Sequence, residues 1–282
     1  MSREFESPES VFGPVTSVES TDGTAIAHRR FGSGPPVVMV HGSGGGLHSW
    51  QPVAERLADR YEVWLPARRG HAPSGPARSP KHFADEVADL AALIATIGRP
   101  VHLAGMSYGA NVALHAAAAG LPVRSLVLWE PPLYAAGAEL APVLAEFQKL
   151  TAKGDQRRAD RLLAERVARV PAALLDLMEP AETAEPSESG SESDPEEAQG
   201  WCGDLESLIA DSADVDRWSD ITVPTLLMRG ADTWDPMPAT LDRLAAALPK
   251  VTYTSFPGQM HFAPSLVPDA VAAEIADFLP HT

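Results

Sequence analysis

The stretch Gly105-Met106-Ser107-Tyr108-Gly109 constrains this chain more than any other. It follows the apolar run Val101 to Ala104 and precedes the Ala-rich segment Ala110 to Ala119, so the pattern reads strand, sharp turn, helix. A serine between two glycines at such a junction is how a chain presents a hydroxyl as an exposed nucleophile. The turn is strained, and a side chain at either glycine would crowd it. Ser107 is therefore the candidate nucleophile. The five-residue motif matches many sequences by chance, and its weight comes from the strand before it and the helix after it.

The rest of the chain supplies the sheet that such a turn needs. Val15 to Glu19 and Thr24 to Phe31 read as strands joined at Asp22-Gly23, and Val37 to Val40 is a short, wholly apolar strand suited to the buried middle of a parallel sheet. A helix from about Ser49 to Arg60 and a strand from Tyr61 to Leu65 follow. The next helix has Ser79 as its cap, Pro80 in its first turn, Phe83, Val87, Leu90, Ile94 and Ile97 as its apolar stripe, and Gly98 at its end. Ser125 to Trp129 is another apolar strand. Strands and helices alternating at this spacing predict crossover units and a mostly parallel sheet flanked by helices, an α/β fold.

The alternation stops at Glu130-Pro131-Pro132 and gives way to helical periodicity alone. It resumes with strand Val223 to Met228, a helix from about Ala239 to Leu248, strand Val251 to Phe256 and a last helix over about 268–279. Residues 1–130 and 223–282 thus read as the core, and residues 131–222 as an inserted helical cap over the edge of the sheet where open α/β folds bind ligands.

Composition excludes several classes of function. A net charge of −16 on 282 residues argues against nucleic acid and against anionic membranes, because both need clustered Lys and Arg. Half of that excess is local: Glu179 to Glu197 holds eight carboxylates and no base. This Pro/Ser/Glu-rich tract, near residues 179–199, is expected to be a solvated, disordered part of the cap. The single cysteine, Cys202, excludes an intramolecular disulfide. The first residues lack the basic and apolar regions of a secretory leader, and no stretch reaches the length of a membrane span, so a cytoplasmic protein is expected. The expected partner is a small-molecule substrate, with no nucleic acid and no membrane; oligomeric state is not legible. No His, Cys, Asp and Glu grouping has the spacing of metal ligands, and no metal or cofactor is expected.

Three features together resemble the α/β-hydrolase fold proteins: the turn around Ser107, the strand-turn His41-Gly42-Ser43-Gly44, and His261 in Pro257-Gly258-Gln259-Met260-His261-Phe262 after the last strand. The likeness extends over residues 15–280 and includes the chain order nucleophile, acid, base. It implies a cofactor-independent serine hydrolase that cleaves an ester, thioester or lactone of a small, fairly apolar compound through an acyl-enzyme. Two alternatives stand beside it, an acyltransferase on the same triad and a non-catalytic ligand-binding protein.

A serine hydroxyl needs a base to take its proton. His261 is the candidate, the only one of nine histidines in a glycine-opened loop between the last strand and the last helix. The acid is open. The family's usual place, three residues beyond the glycine that ends its strand, is Thr233 here; Asp232 lies one residue early and Asp235 two late. Glu130, at the end of Ser125 to Trp129, occupies the place from which other members supply the acid. Asp232 is preferred, with Glu130 and Asp235 as alternates. The resemblance gives the oxyanion-hole donors as the backbone N–H groups of Ser43 and Tyr108. Two departures stand out in Pro66-Ala67-Arg68-Arg69-Gly70-His71-Ala72-Pro73-Ser74, where the family's aspartate and second glycine are Ala67 and Ala72. Ser107 also separates the chain from haloalkane dehalogenases and epoxide hydrolases, which use an aspartate there.

Overall fold

The computed structural model describes residues 13–178 and 195–279. Eight strands, β1 (Thr16–Glu19), β2 (Ala25–Gly32), β3 (Pro36–Val40), β4 (Glu62–Pro66), β5 (Val101–Met106), β6 (Val123–Trp129), β7 (Thr225–Gly230) and β8 (Val251–Phe256), form one sheet in the order β1-β2-β4-β3-β5-β6-β7-β8. The β1–β2 and β2–β4 pairings are antiparallel and every later one is parallel. Among the described residues no helix is long and apolar enough to cross a membrane.

Both faces of the parallel strands are covered, which is why they read as unbroken apolar runs rather than alternating ones. Alternate residues of one strand enter different cores. Val38, Val40 and Leu103 pack with α2 (Phe83–Ile97) and α3 (Tyr108–Ala118), whereas Val37, Met39 and Ala104 pack with α1 (Gln51–Leu57) and the terminal α10 (Pro268–Phe278).

Among the described residues, four α-helices lie between β6 and β7: α4 (Ala141–Thr151), α5 (Gln156–Arg166), α6 (Ala172–Met178) and α7 (Pro195–Ile209). The alternation then returns with α8 (Met237–Ala247), β8, the short α9 (Ala263–Leu266) and α10. Most of the acidic tract, residues 179–194, lies outside the described residues, but Pro195, Glu196 and Glu197 belong to the first turn of α7. The tract therefore ends in helix, not loop.

Ser79 does not cap α2. The helix begins at Phe83, where His82 and Asp85 form a reciprocal capping box, the His82 N–H donating to Asp85 Oδ2 at 2.8 Å. Ser79 turns instead to α7, its hydroxyl donating to Glu206 at 2.5 Å, and the Lys81 N–H donates to the other oxygen of the same carboxylate at 2.9 Å.

At the end of β5 the strain falls on Ser107 itself, with φ 52° and ψ −126°. The flanking glycines answer a different need, that of close approach. A Cβ on Gly105 would lie 2.3 Å from the Gly109 carbonyl oxygen, and one on Gly109 would lie 2.4 Å from the His41 oxygen and 2.5 Å from that of Val40. These obstacles are backbone, which cannot rotate aside. Gly109→Ala is accordingly expected to cost about 3 kcal/mol, the upper end of ordinary overpacking. Urea unfolding measures it, and an unchanged midpoint would mean that α3 can move off β3.

Candidate active site

The strand-to-helix turn brings Ser107 to the C-terminal edge of the sheet. Its N–H donates to the Trp129 carbonyl at 2.8 Å and its carbonyl accepts from the Ala110 N–H at 2.8 Å, so the backbone is held on both sides while the side chain stays partly exposed. The glycine-rich turn after β3 abuts it: a Cβ on Gly42 would lie 3.1 Å from the Ser107 Cβ. Tyr108 opens α3, where N–H groups have no partner within the helix. Among the described residues no hydrogen bond engages the N–H of Ser43 or of Tyr108.

His261 follows β8 in the loop before α9. Its Nδ1 lies 2.6 Å from Glu130 Oε2. A carboxylate can only accept here, so Nδ1 carries the proton and Nε2 is left with its lone pair. Glu130 is wholly buried and its backbone is left-handed, with φ 44°. Its second oxygen accepts from the Gly230 N–H at 2.8 Å and from the Thr233 hydroxyl at 2.5 Å. Buried charge is tolerable only when hydrogen-bonded in this way. The residue before it, Trp129, donates its indole N–H to the His261 carbonyl at 2.8 Å.

The carboxylate on the imidazole is therefore Glu130 and not the preferred Asp232. Asp232 and Asp235 are exposed, and no hydrogen bond joins either side chain to His261. The Asp232 N–H is instead used to bind the Gln259 carbonyl at 2.9 Å. Thr233, where the resemblance would place the acid, instead donates to the Glu130 carboxylate just beyond the neighbouring strand. The signal in the sequence was this pairing, a threonine where an acid is usual and a carboxylate closing an apolar strand.

Behind the glycine-rich turn lies a buried ionic cluster that the sequence did not disclose. Asp204 of α7 takes both arms of Arg68, Nη1 at 2.8 Å and Nη2 at 2.7 Å, and also Lys81 Nζ at 2.6 Å. Glu86 of α2 accepts from Arg68 Nη1 at 2.8 Å and from the Tyr108 hydroxyl at 2.6 Å. Ser43 donates its hydroxyl to Asp204 Oδ2 at 2.6 Å. Arg68, Lys81, Glu86 and Asp204 are each at most 4 % exposed, so two cations face two anions away from water. Burial opposes the Asp204 charge, yet Arg68 and Lys81 outweigh it and hold the carboxyl well below the usual range. Burial and Arg68 together lower His71, which stays neutral and offers Nε2 to Arg68 Nη2 at 3.0 Å. His41 is lowered still further by burial and by Arg68. Its Nε2 accepts from the Arg68 N–H at 2.9 Å, and its Nδ1–H therefore donates to the Gly42 carbonyl at 2.7 Å.

A cavity of about 560 Å³ flanks the glycine-rich turn and is lined by Arg29, Gly44, Gly46, His48, Gln51 and Glu197 among others. Ser107 and His261 do not line it. Arg29 is half-buried, and its Nε, itself shielded from solvent, has no hydrogen-bond partner among the described residues. Among the described residues no group of three His, Cys, Asp or Glu side chains is placed to hold a metal ion.

Residues 37–274 match the alpha/beta hydrolase family. The chain is 28% identical to 2-(acetamidomethylene)succinate hydrolase of Mesorhizobium japonicum, over 89% of its own length and 90% of the relative's. It is 46% identical to the pimeloyl-[acyl-carrier protein] methyl ester esterase of Chromobacterium violaceum over a shorter span, 31% of this chain and 33% of the other. Among solved structures, an alpha/beta hydrolase from Sphaerobacter thermophilus superposes with a TM-score of 0.75 at 30% identity, covering 93% of this chain and 99% of the other.

The support that Thr233 gives to a buried carboxylate has a measurable size. Thr233→Val is expected to lower stability by about 2 kcal/mol, as befits a hydrogen bond to a charged group, with the Gly230 N–H still in place. Urea unfolding at neutral pH checks this; stability equal to wild type would mean that the hydroxyl adds nothing to the Glu130 charge.

Proposed function

The chain belongs to the alpha/beta hydrolase family, and on that premise we propose that it is a serine hydrolase acting on an ester, thioester or lactone of a small, fairly apolar molecule. One observation carries this reading: a wholly buried Glu130 lies 2.6 Å from His261 Nδ1, at the sheet edge to which the strained turn brings Ser107. A buried carboxylate on the imidazole, at the same sheet edge as a candidate nucleophile, supports the acid-base-nucleophile order that acyl transfer uses.

Ser107 Oγ attacks the carbonyl carbon as its proton passes to His261 Nε2. The imidazolium so formed is stabilised by Glu130, which keeps its charge throughout. Negative charge gathers on the former carbonyl oxygen, and the N–H groups of Ser43 and Tyr108 receive it. His261 then protonates the leaving group. Water, deprotonated by the same nitrogen, opens the acyl-enzyme and restores Ser107. The helices over residues 131–222 act as the cap, and the substrate sits between them and the sheet.

A second reading concerns the substrate's charge. The relative matched along nine-tenths of its length is named for a substrate with a succinate group, and the cation Arg29 lines the 560 Å³ cavity beside the glycine-rich turn. An acidic substrate, cleaved at an ester or an acylated nitrogen, would set its carboxylate against the Arg29 guanidinium.

Two experiments test these readings. A fluorophosphonate probe is expected to label wild type and not Ser107→Ala, and p-nitrophenyl esters of rising chain length to be turned over only by wild type. Glu130→Gln should lower kcat by roughly 10²- to 10⁴-fold, while Asp232→Asn and Asp235→Asn stay near wild type. Equal labelling of wild type and Ser107→Ala would dispose of the hydrolase reading. For the second, esters ending in a carboxylate are compared with neutral esters of equal length. Arg29→Gln should raise KM for the charged series about tenfold and leave the neutral series alone; an equal response of both series removes the acidic substrate.

A further inference from the structure

The Ser43 N–H can serve as an oxyanion donor only if the Gly42–Ser43 peptide faces the correct way. A trans peptide is planar, with its C=O and N–H on opposite sides, so whatever holds the Gly42 oxygen also sets the direction of the Ser43 N–H. Two donors hold that oxygen, His41 Nδ1–H at 2.7 Å and Arg68 Nη2 at 3.1 Å. Arg68 Nε donates in addition to the His41 carbonyl at 3.0 Å. The guanidinium thus grips two successive carbonyls of the turn and directs the Ser43 N–H away from itself, while the open face of Gly42 abuts Ser107.

Arg68 is in turn fixed from the inserted helices. Asp204 binds both of its terminal nitrogens, and the same carboxylate accepts the Ser43 hydroxyl at 2.6 Å. One turn earlier on α7, Trp201 lies over the same loop: a Cβ on Gly44 would come within 3.1 Å of its indole. Helix α7 therefore reaches residues 43 and 44 directly and residues 41 and 42 through Arg68. Ion pairs this deep add little net stability over apolar packing, because both charges must leave water. What they supply here is direction.

We propose that Asp204, carried by the helical insertion, is the positioning residue of the oxyanion turn, acting through the Ser43 hydroxyl and through Arg68 on the Gly42–Ser43 peptide. The proposal rests on the serine-hydrolase reading above and adds that the insertion builds part of the catalytic apparatus as well as covering it. A donor aimed in advance at the developing charge stabilises the transition state without reorganising at the moment of reaction. Loosening Asp204 should therefore reduce kcat rather than substrate affinity.

The test uses Ser43→Ala, which removes only the hydroxyl and leaves the ion cluster whole, together with Asp204→Asn and the double variant. Each is assayed for kcat and KM on a p-nitrophenyl ester, for inhibition by an alkyl trifluoromethyl ketone, and for its thermal midpoint. The ketone adds the Ser107 oxygen to its carbonyl carbon, its proton passing to His261, and so forms an anion like that of the tetrahedral intermediate. Ser43→Ala is expected to keep the wild-type midpoint and KM, with kcat and ketone affinity each down about tenfold. Asp204→Asn should lose on the order of 100-fold in both, as when an oxyanion donor is misaligned, and the double variant should be no worse than Asp204→Asn alone. Full kcat and ketone affinity in Ser43→Ala would overturn the proposal, and so would a loss of kcat with ketone affinity intact. If Asp204→Asn does not fold, Ser43→Ala decides alone. Wild type that neither turns over ester nor binds ketone would overturn the hydrolase reading and this proposal with it; wild-type binding with unaltered variants overturns the role of Asp204 only.

Discussion

Where α3 leaves the sheet, Gly109 lies directly against the carbonyls of Val40 and His41, closer than any side chain would permit. That contact ties the end of β5 to the end of β3, and the two strand ends carry the two halves of the proposed chemistry. From β5 comes Ser107 in its strained turn; from β3 comes the loop whose peptide faces it. A larger residue at 109 would separate nucleophile from turn before affecting any side chain at the site. The apolar cores on either side of the sheet hold this contact closed.

Around that junction the chain distributes charge against its overall trend. With a net charge of −16 and only four lysines, it places Lys81 and Arg68 at 1 % and 4 % exposure behind the glycine-rich turn. Their partners come from α2 and from α7, elements that share no local contact in the sequence. The cluster is neutral in sum and each member has a counter-ion at hydrogen-bond distance, the condition under which charge survives burial. Arg69, its neighbour in sequence, makes a separate buried pair with Asp89 at 2.6 Å and 2.7 Å, so two adjacent arginines secure the same loop to two different anchors.

The elements that sequence made legible were those with a local period. Strand and helix order, the strained turn at Ser107 and the placement of His261 after the last strand all follow from patterns a few residues long. The carboxylate that meets His261 was not legible in that way. Asp232, Asp235 and Glu130 all stand near strand ends, and only the pairing of β6 with β7 reveals that Gly230 and Thr233 meet on the Glu130 carboxylate. Ser79 misled for a related reason, since its capping signal was local while its partner, Glu206, lies 127 residues away. Asp204 was hidden by its neighbourhood. It follows closely on an acidic tract read as solvated, and nothing in the local pattern separates a carboxylate that faces water from one that binds Arg68 and Lys81.

Trp129 and Glu130 hold His261 at two points, the indole on its carbonyl and the carboxylate on its ring. The last residue of one central strand and the residue after it thus fasten the backbone and the side chain of a residue whose neighbours Met260 and Phe262 are 38% and 49% exposed. The loop cannot swing without releasing both tethers, and both are rooted in a strand paired on each side. In cooperative terms, the imidazole belongs to the sheet's unfolding unit although it sits in an exposed connection. Its position should persist through motions that loosen the rest of the loop and be lost only when β6 itself opens.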